Sequence, residues 1–406
     1  MTSLPTEVPT TRRLSCSACG HSELEEVLDL PNLPLTGIFV LPEERKNFPN
    51  FDQALIRCTS CGHGQLRETV DAHFLYQDTY THRSSLSPIS TRGNDLFLRF
   101  VEEFSAERQF ACIAEIGCND LYLLRKLLNR GKTLIGFDPI WRGRVAGNAE
   151  GIQVSGKYIE EINPAADLPE RPDLVLSVHT LEHVDQPLNS LRAVFDYAQP
   201  GALFFFEVPS LDTLLKIGRF DQVFHQHLNY FSLASIRRLI RQLGGEFIAH
   251  RYNYGYWLGT MMVAFRKPSH DASETGRAVE LPPIGRDEIV RRFTQYQQSM
   301  ESVAVSLDQL IRQGTPAIGF GGAQMVPTLA YHLKSDLGVL KAILDDNPDK
   351  AGRTYPSIAT NIQLASDFAN LDEYAVLVTA LDSARPILNR VAAMGARYII
   401  SPNNPF

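Results

Sequence analysis

Phe110-Ala111-Cys112-Ile113-Ala114-Glu115-Ile116 runs straight into Gly117-Cys118-Asn119-Asp120, and apolar residues then recur at helical spacing from Leu121 to Leu128. A short apolar run, a glycine and a helix start are the opening of an α/β unit. Similar runs follow at Thr133 to Asp138, Leu174 to Val178 and Ala202 to Val208. Near-continuous apolar runs read as strands buried on both faces, and their alternation with helical stretches predicts a doubly wound parallel sheet. Phe204, Phe205 and Phe206 are buried strand on this reading, not a ligand platform.

Asp138 stands 21 residues after Gly117, at the end of the next strand. In a doubly wound sheet that carboxylate can accept both hydroxyls of a ribose, while the glycine lets the backbone approach the ligand. A dinucleotide would need G-x-G-x-x-G for its pyrophosphate, and that pattern is absent. The E-x-G-x-x-D pattern is the one used by S-adenosylmethionine (SAM) methyltransferases. His179-Thr180-Leu181-Glu182-His183-Val184 is a common sequence after their fourth strand. SAM is therefore expected ahead of NAD, bound by Glu115, Gly117, Asn119, Asp120, Asp138 and His179. Position 121 is leucine where these enzymes usually carry glycine, and its side chain is expected to crowd the loop facing the methionine part of the cofactor.

Upstream, Cys16-Ser17-Ala18-Cys19-Gly20-His21 and Cys58-Thr59-Ser60-Cys61-Gly62-His63 repeat one pattern, with 38 residues between the pairs. Two such knuckles can place four thiolates at a tetrahedron's corners, which suits Zn2+. A redox or disulfide pair needs only one C-x-x-C in another setting. Cys16, Cys19, Cys58 and Cys61 fill the coordination, leaving His21 and His63 as neighbours. Downstream, Asp287 to Arg312 reads as a helix. Ala317 to Gly322, Val339 to Leu344 and Ala375 to Thr379 read as strands of another α/β unit, whose glycine turn serves either a nucleotide-like ligand or structure alone. Three units are expected: a small zinc-binding domain (1–95), a central Rossmann-like methyltransferase domain (96–268) and a C-terminal Rossmann-like α/β domain (269–406).

The chain has 406 residues, 44% hydrophobic and 21% charged, with a formal net charge of -7. It offers no basic field for nucleic acid, and no stretch approaches a membrane span. Free thiols at Cys112 and Cys118 beside a thiolate site predict a reducing compartment, the cytoplasm. Arg237-Arg238 and Arg291-Arg292 read as solvated helix faces.

Nearly the whole chain resembles the nucleotide-sugar C-methyltransferases that act on 4-keto-deoxysugars. The resemblance includes the double knuckle, the E-I-G-C-N-D loop, Tyr76-Gln77-Asp78-Thr79-Tyr80 with Ser84-Ser85, and Phe224-His225-Gln226-His227-Leu228-Asn229-Tyr230-Phe231-Ser232. It also includes Leu344-Asp345-Asp346-Asn347-Pro348-Asp349-Lys350-Ala351-Gly352. It implies methylation of a carbon beside a ketone on a nucleotide-diphosphate sugar, dTDP-linked, by a monomer or weak oligomer. It further implies His227 as base, His183 as a second active-site histidine, and Tyr76 or Tyr80 reaching over the substrate from the zinc domain. His225 and Gln226 flank the base. The family's tyrosine and glutamate are here Phe224 and Gln226. Those departures leave three other readings: an epimerase or isomerase using the same base, a sugar O-methyltransferase, and a non-catalytic binding protein.

Overall fold

The computed structural model describes residues 8–75, 83–143, 150–269 and 280–402. At the front, β1 (Thr10–Arg12), β2 (Leu24–Leu33), β3 (Phe51–Cys58), β4 (Gly64–Leu66) and β5 (Glu68–Val70) form antiparallel pairs, β1 with β5 and β3 with both β2 and β4. The strand β3 delivers Cys58 directly into the second knuckle, as its apolar Ala54-Leu55-Ile56 run implies.

The middle unit contains β6 (Phe110–Ile116), β7 (Gly131–Phe137), β8 (Gln153–Ser155), β9 (Leu174–Val178), β10 (Leu203–Pro209), β11 (Asn229–Tyr230), β12 (Glu246–Asn253) and β13 (Thr260–Arg266). Seven of them form one sheet in the order β12-β13-β10-β9-β6-β7-β8, parallel from β10 to β8 and antiparallel at β13 and β12. Phe204, Phe205 and Phe206 are fully buried in β10, as an interior strand requires. The helix Leu233–Leu243 starts at Ser232, whose side chain accepts from the Ser235 amide, and stops at Gly244 with φ 83°. Serine fills an orphan donor at one end and glycine takes the left-handed turn at the other. Helical spacing after Gly117 is realised only over Tyr122–Lys126.

The helix Pro88–Ser105 is continuous through residue 95, where the first boundary was expected. It packs on β10 and β13, and so on the middle sheet. The two-residue β11 does not join that sheet. It pairs antiparallel with β4, Asn229 opposite Gln65 and Tyr230 opposite Gly64, and becomes the fourth strand of the zinc-side sheet.

The C-terminal sheet is parallel throughout, β16 (Ile362–Leu364), β15 (Leu340–Asp345), β14 (Ala317–Phe320), β17 (Ala375–Val378) and β18 (Tyr398–Ile400) in spatial order. The helix Arg286–Arg312 buries one stripe, Ile289, Tyr296, Met300, Val303 and Leu307. Its stripe belongs to a core cluster that also takes Leu28, Leu30 and Leu55 from the front, Leu214 and Phe220 from the middle, and Ile343 and Leu377 from the C-terminal sheet. The front sheet's apolar face is thus satisfied by the other units, since so small a module cannot bury it alone.

Removing the zinc should therefore loosen more than the knuckles. Structural zinc contributes roughly 10 kcal/mol or more to folding in small modules. Chelation, or Cys58→Ser, is expected to lower the thermal midpoint of the whole chain by several degrees in calorimetry. An unchanged midpoint with zinc gone would contradict this.

Candidate active site

From β6 the chain steps outward through β7 and β8, then returns to β9 on the other side. Loops leaving the carboxyl ends of β6 and β9 therefore diverge, and ligands of such sheets bind in the crevice between them. A cavity of about 1070 Å³ opens there, reached by residues of all three units: Thr69 and Val70 from the front, Gln324 and Asp382 from the C-terminal unit.

The Gly117 bend forms the cavity floor. Gly117 has φ 77°, and a Cβ there would lie 1.9 Å from Thr180 Oγ1. Glycine is required both for the conformation and for the approach of the two loops. Asp138 is buried at the end of β7, its Oδ2 accepting from the Asn119 amide at 2.9 Å and its Oδ1 from the Ile140 amide at 3.0 Å. These bonds fix the carboxylate's orientation and leave a lone pair on each oxygen. Glu115 lines the floor with Oε2 buried and without a partner. Burial, with Asp138 and Asp120 nearby, raises its pKa well above the ordinary carboxyl value.

Leu121 does not crowd the loop. It adopts φ 69°, is fully buried and joins the apolar cluster of Phe97, Leu124 and Leu134, so its side chain fills the core and leaves the cavity open. Asp120 also lies off the cavity, its carboxylate accepting from the backbone and hydroxyl of Ser85. Asn119 Oδ1 accepts from the Ser84 amide at 3.1 Å. The bend thus anchors the segment arriving from the zinc domain. His179 lines the cavity with φ 50°, its Nδ1 3.3 Å from Glu182 Oε1 and its ring 4.3 Å from that of Trp257.

The loop before β11 presents its three polar residues in three directions. His225 points away from the cavity, and its Nε2 donates to the Leu33 carbonyl at 3.0 Å. Burial pushes its pKa down to about 4. Gln226 touches the cavity, but both ends of its amide are taken by Thr36, Oε1 accepting from the hydroxyl at 2.9 Å and Nε2 donating to the carbonyl at 3.0 Å. These two residues fasten the loop to the zinc side. His227 does face the cavity, its ring 5.0 Å from His183 and 4.1 Å from Phe224. Burial, and then the neighbouring His183, push its pKa down to about 3. Tyr76 and Tyr80 lie outside the described residues.

The four cysteine sulfurs form one cluster, with Cys16 and Cys61 3.7 Å apart and Cys19 and Cys58 also 3.7 Å apart. A zinc tetrahedron with bonds of about 2.3 Å has edges of about 3.8 Å, so the set fits Zn2+. Gly20 and Gly62 supply the left-handed turns of the two knuckles, with φ 77° and 70°. His63 is buried against Ser17 and Asn229 outside the cluster, and His21 lies beside Glu23.

The glycine turn after β14 is closed by its own side chains. Asp345 Oδ2 accepts from the Gly322 amide at 2.8 Å and from Lys350 at 3.2 Å, while Lys350 also donates to the Gly322 carbonyl. This explains the spacing of the Asp345-Asp346-Asn347-Pro348-Asp349-Lys350 segment as loop closure. Two cavity residues had no signal as functional groups. Glu182 sits between two candidate histidines yet reads as one more acidic turn residue. Trp257 depends on Gly93, where a Cβ would come 2.0 Å from its ring, a long-range contact.

Residues 90–250 match the family described as "Methyltransferase domain", and residues 16–76 the one described as "Putative zinc binding domain". The chain is 25% identical over 325 residues to the C-methyltransferase NovU of Streptomyces niveus, covering 75% of each. It is 30% identical over 98 residues to the ubiquinone biosynthesis O-methyltransferase of Pseudomonas fluorescens SBW25, a match spanning 23% of this chain and 42% of that one. Among solved structures, the N-methyltransferase NodS of Bradyrhizobium japonicum WM9 aligns with 45% of this chain and 98% of its own at 18% identity, TM-score 0.34. The class is settled by the domain matches together with the switch-point bend: a SAM-dependent methyltransferase. This protein is such an enzyme, built on a zinc-binding front unit and using SAM as cofactor.

Two measurements test the site. Gly117→Ala should weaken binding of S-adenosylhomocysteine at least tenfold in calorimetry while the far-ultraviolet spectrum is kept; undiminished affinity would remove the bend from the cofactor site. The second concerns His225, which folding holds neutral below its ordinary value of 6.5. A depressed imidazole pKa means the unfolded chain binds more protons, so stability is present above about pH 6.5 and lost as pH falls toward about 4. Wild type should lose about 2 kcal/mol more than His225→Gln in urea unfolding between about pH 7.5 and about pH 5. Equal losses would contradict the burial argument.

Proposed function

We propose that the enzyme transfers the SAM methyl to a carbon beside the ketone of a nucleotide-linked 4-keto-deoxysugar, dTDP-linked by resemblance. The observation that carries this reading is the single cavity in which the Gly117 bend and the His183–His227 pair both take part. The cavity, about 1070 Å³, lies just above the usual ligand-pocket range of about 300–1,000 Å³, which accords with a cofactor and a substrate side by side. The similarity to NovU across three quarters of both chains supports the same chemistry.

SAM supplies an electrophilic methyl group when bound. The chain's own residues do the rest. Gly117 and Asp138 would seat the adenosine part, with Thr180 closing over the bend. The imidazole pair would take the proton that makes the carbon nucleophilic, a neutral ring nitrogen being a ready proton acceptor. Phe224 gives an apolar wall where its relatives carry a tyrosine, so the enolate oxygen receives no hydroxyl there. Residues from the front and C-terminal units would exclude water and hold the nucleotide. The free cysteines accord with a reducing, cytoplasmic setting.

Incubation with SAM and a panel of nucleotide sugars should release S-adenosylhomocysteine with 4-keto sugars, and His183→Asn should lower that rate at least a hundredfold. Release with 4-hydroxy sugars alone would favour O-methylation. Release with none of them would overturn the reading.

A further inference from the structure

Glu182 is the most enclosed charged group at the cavity. It is 1% exposed, sits in the turn Leu181–His183, and its Oε2 has no hydrogen-bond partner. Its Oε1 lies 3.3 Å from His179 Nδ1 and 4.0 Å from His183 Nε2. A ring nitrogen of His183, one of His227 and a Glu182 oxygen all fall within 4.8 Å of one another. A buried carboxylate is costly unless cations or donors surround it, and here three imidazoles do.

The tautomer of His183 follows from one contact. Its Nδ1 lies 2.7 Å from the Gln226 carbonyl oxygen. A carbonyl can only accept, so Nδ1 carries the proton and Nε2 carries the lone pair. That lone pair is beside Glu182. When it takes a proton, the new N–H and positive charge arise next to the buried negative charge of Glu182, where such pairing is stronger than between two fully solvated ions. His227 lacks this arrangement. Among the described residues no carboxylate oxygen comes as close to its ring nitrogens as Glu182 comes to those of His179 and His183, and its Nδ1 is buried without a partner. Gln226 cannot supply the charge, since it is neutral and spent on Thr36.

We propose that His183 is the proton acceptor of this enzyme and that Glu182 is the positioning carboxylate that stabilises its cation, with His227 as the neutral partner across the cavity. The inference rests on the methylation reading and deepens it. His183 Nε2 takes the proton from the carbon beside the ketone, and the C–H pair becomes the enolate. The enolate carbon bonds to the methyl as the methyl–sulfur bond breaks and its pair stays on sulfur. The imidazolium then returns its proton to water. The charged and titratable groups facing this pair are His179 on the same turn, Glu207 on β10, His227 on the loop before β11 and Asp382 of the C-terminal unit. Asp185, two residues on, is turned to Arg13.

The test uses the full chain with 15N-labelled histidine, the His183 signals being assigned by their loss in His183→Gln. His183 should appear as the Nδ1–H tautomer, and Glu182→Gln should lower its titration midpoint by about one unit, a tenfold change in proton affinity. With an accepted substrate, Glu182→Gln should lower the plateau of kcat and move its acid limb to lower pH, because a less stabilised cation deprotonates earlier. Glu182→Asp should restore part of both. An unmoved midpoint and limb, or the Nε2–H tautomer, overturns the assignment. So does a second metal ion per chain lost on Glu182→Gln, which would make the three side chains ligands; one zinc per chain is expected. Absence of S-adenosylhomocysteine release from wild type strikes the methylation reading alone, since the tautomer and titration are read without substrate.

Discussion

Two backbone residues govern how this molecule is assembled. Asn229 and Tyr230 leave the methyltransferase sheet and add an edge strand to the zinc-side sheet, paired with Gln65 and Gly64. Gly64 has no side chain to meet Tyr230, whose Cβ would stand 3.1 Å from a Cβ at position 64. Once that strand is docked, the loop before it has little freedom. His225 is tied to Leu33, Gln226 to Thr36, and the Leu228 amide donates to the Glu182 carbonyl at 2.7 Å. His227 is left facing the cavity because its neighbours on both sides are committed elsewhere. Zinc holding β3 and the knuckles would therefore bear on the cavity through a sheet.

Local strain gathers at the same place. Asn119, His179 and Trp257 all have positive φ and all line the cavity. Each left-handed non-glycine residue costs roughly 1–2 kcal/mol. They are held by specific contacts: the His179 amide donates to the Glu207 carbonyl, and Asn119 is bonded to Asp138, Ser84 and Trp141. Buried polar atoms without partners also collect here, at Glu115, His179, Glu182 and His227. A rigid cradle of strained backbone and unsatisfied groups is the arrangement expected where a polar ligand completes the bonding.

Much of the fold was legible because its signals are local. Apolar runs marked β6 and β9 to the residue, and the two knuckles announced a four-sulfur site whose spacing the folded chain keeps. What escaped depended on distant partners. Leu121 looked like an obstruction from its position in the motif, but the backbone takes a left-handed turn that sends the side chain into the core. His225, Gln226 and Asp120 resembled site residues by motif and turned out to hold the units together, since their partners Leu33, Thr36 and Ser85 lie 35 to 192 positions away in sequence. Glu182 had no visible role within its motif, because the tautomer of His183 beside it is set by the Gln226 carbonyl, delivered by the loop before β11.

The most direct test of the account is a crystal structure with S-adenosylhomocysteine and thymidine diphosphate bound. The account predicts the ribose hydroxyls on Asp138, the sulfur facing the space between His183 and His227, and the diphosphate between the middle and C-terminal units. Homocysteine density outside the Gly117 bend, or a sulfur turned away from both imidazoles, would contradict it.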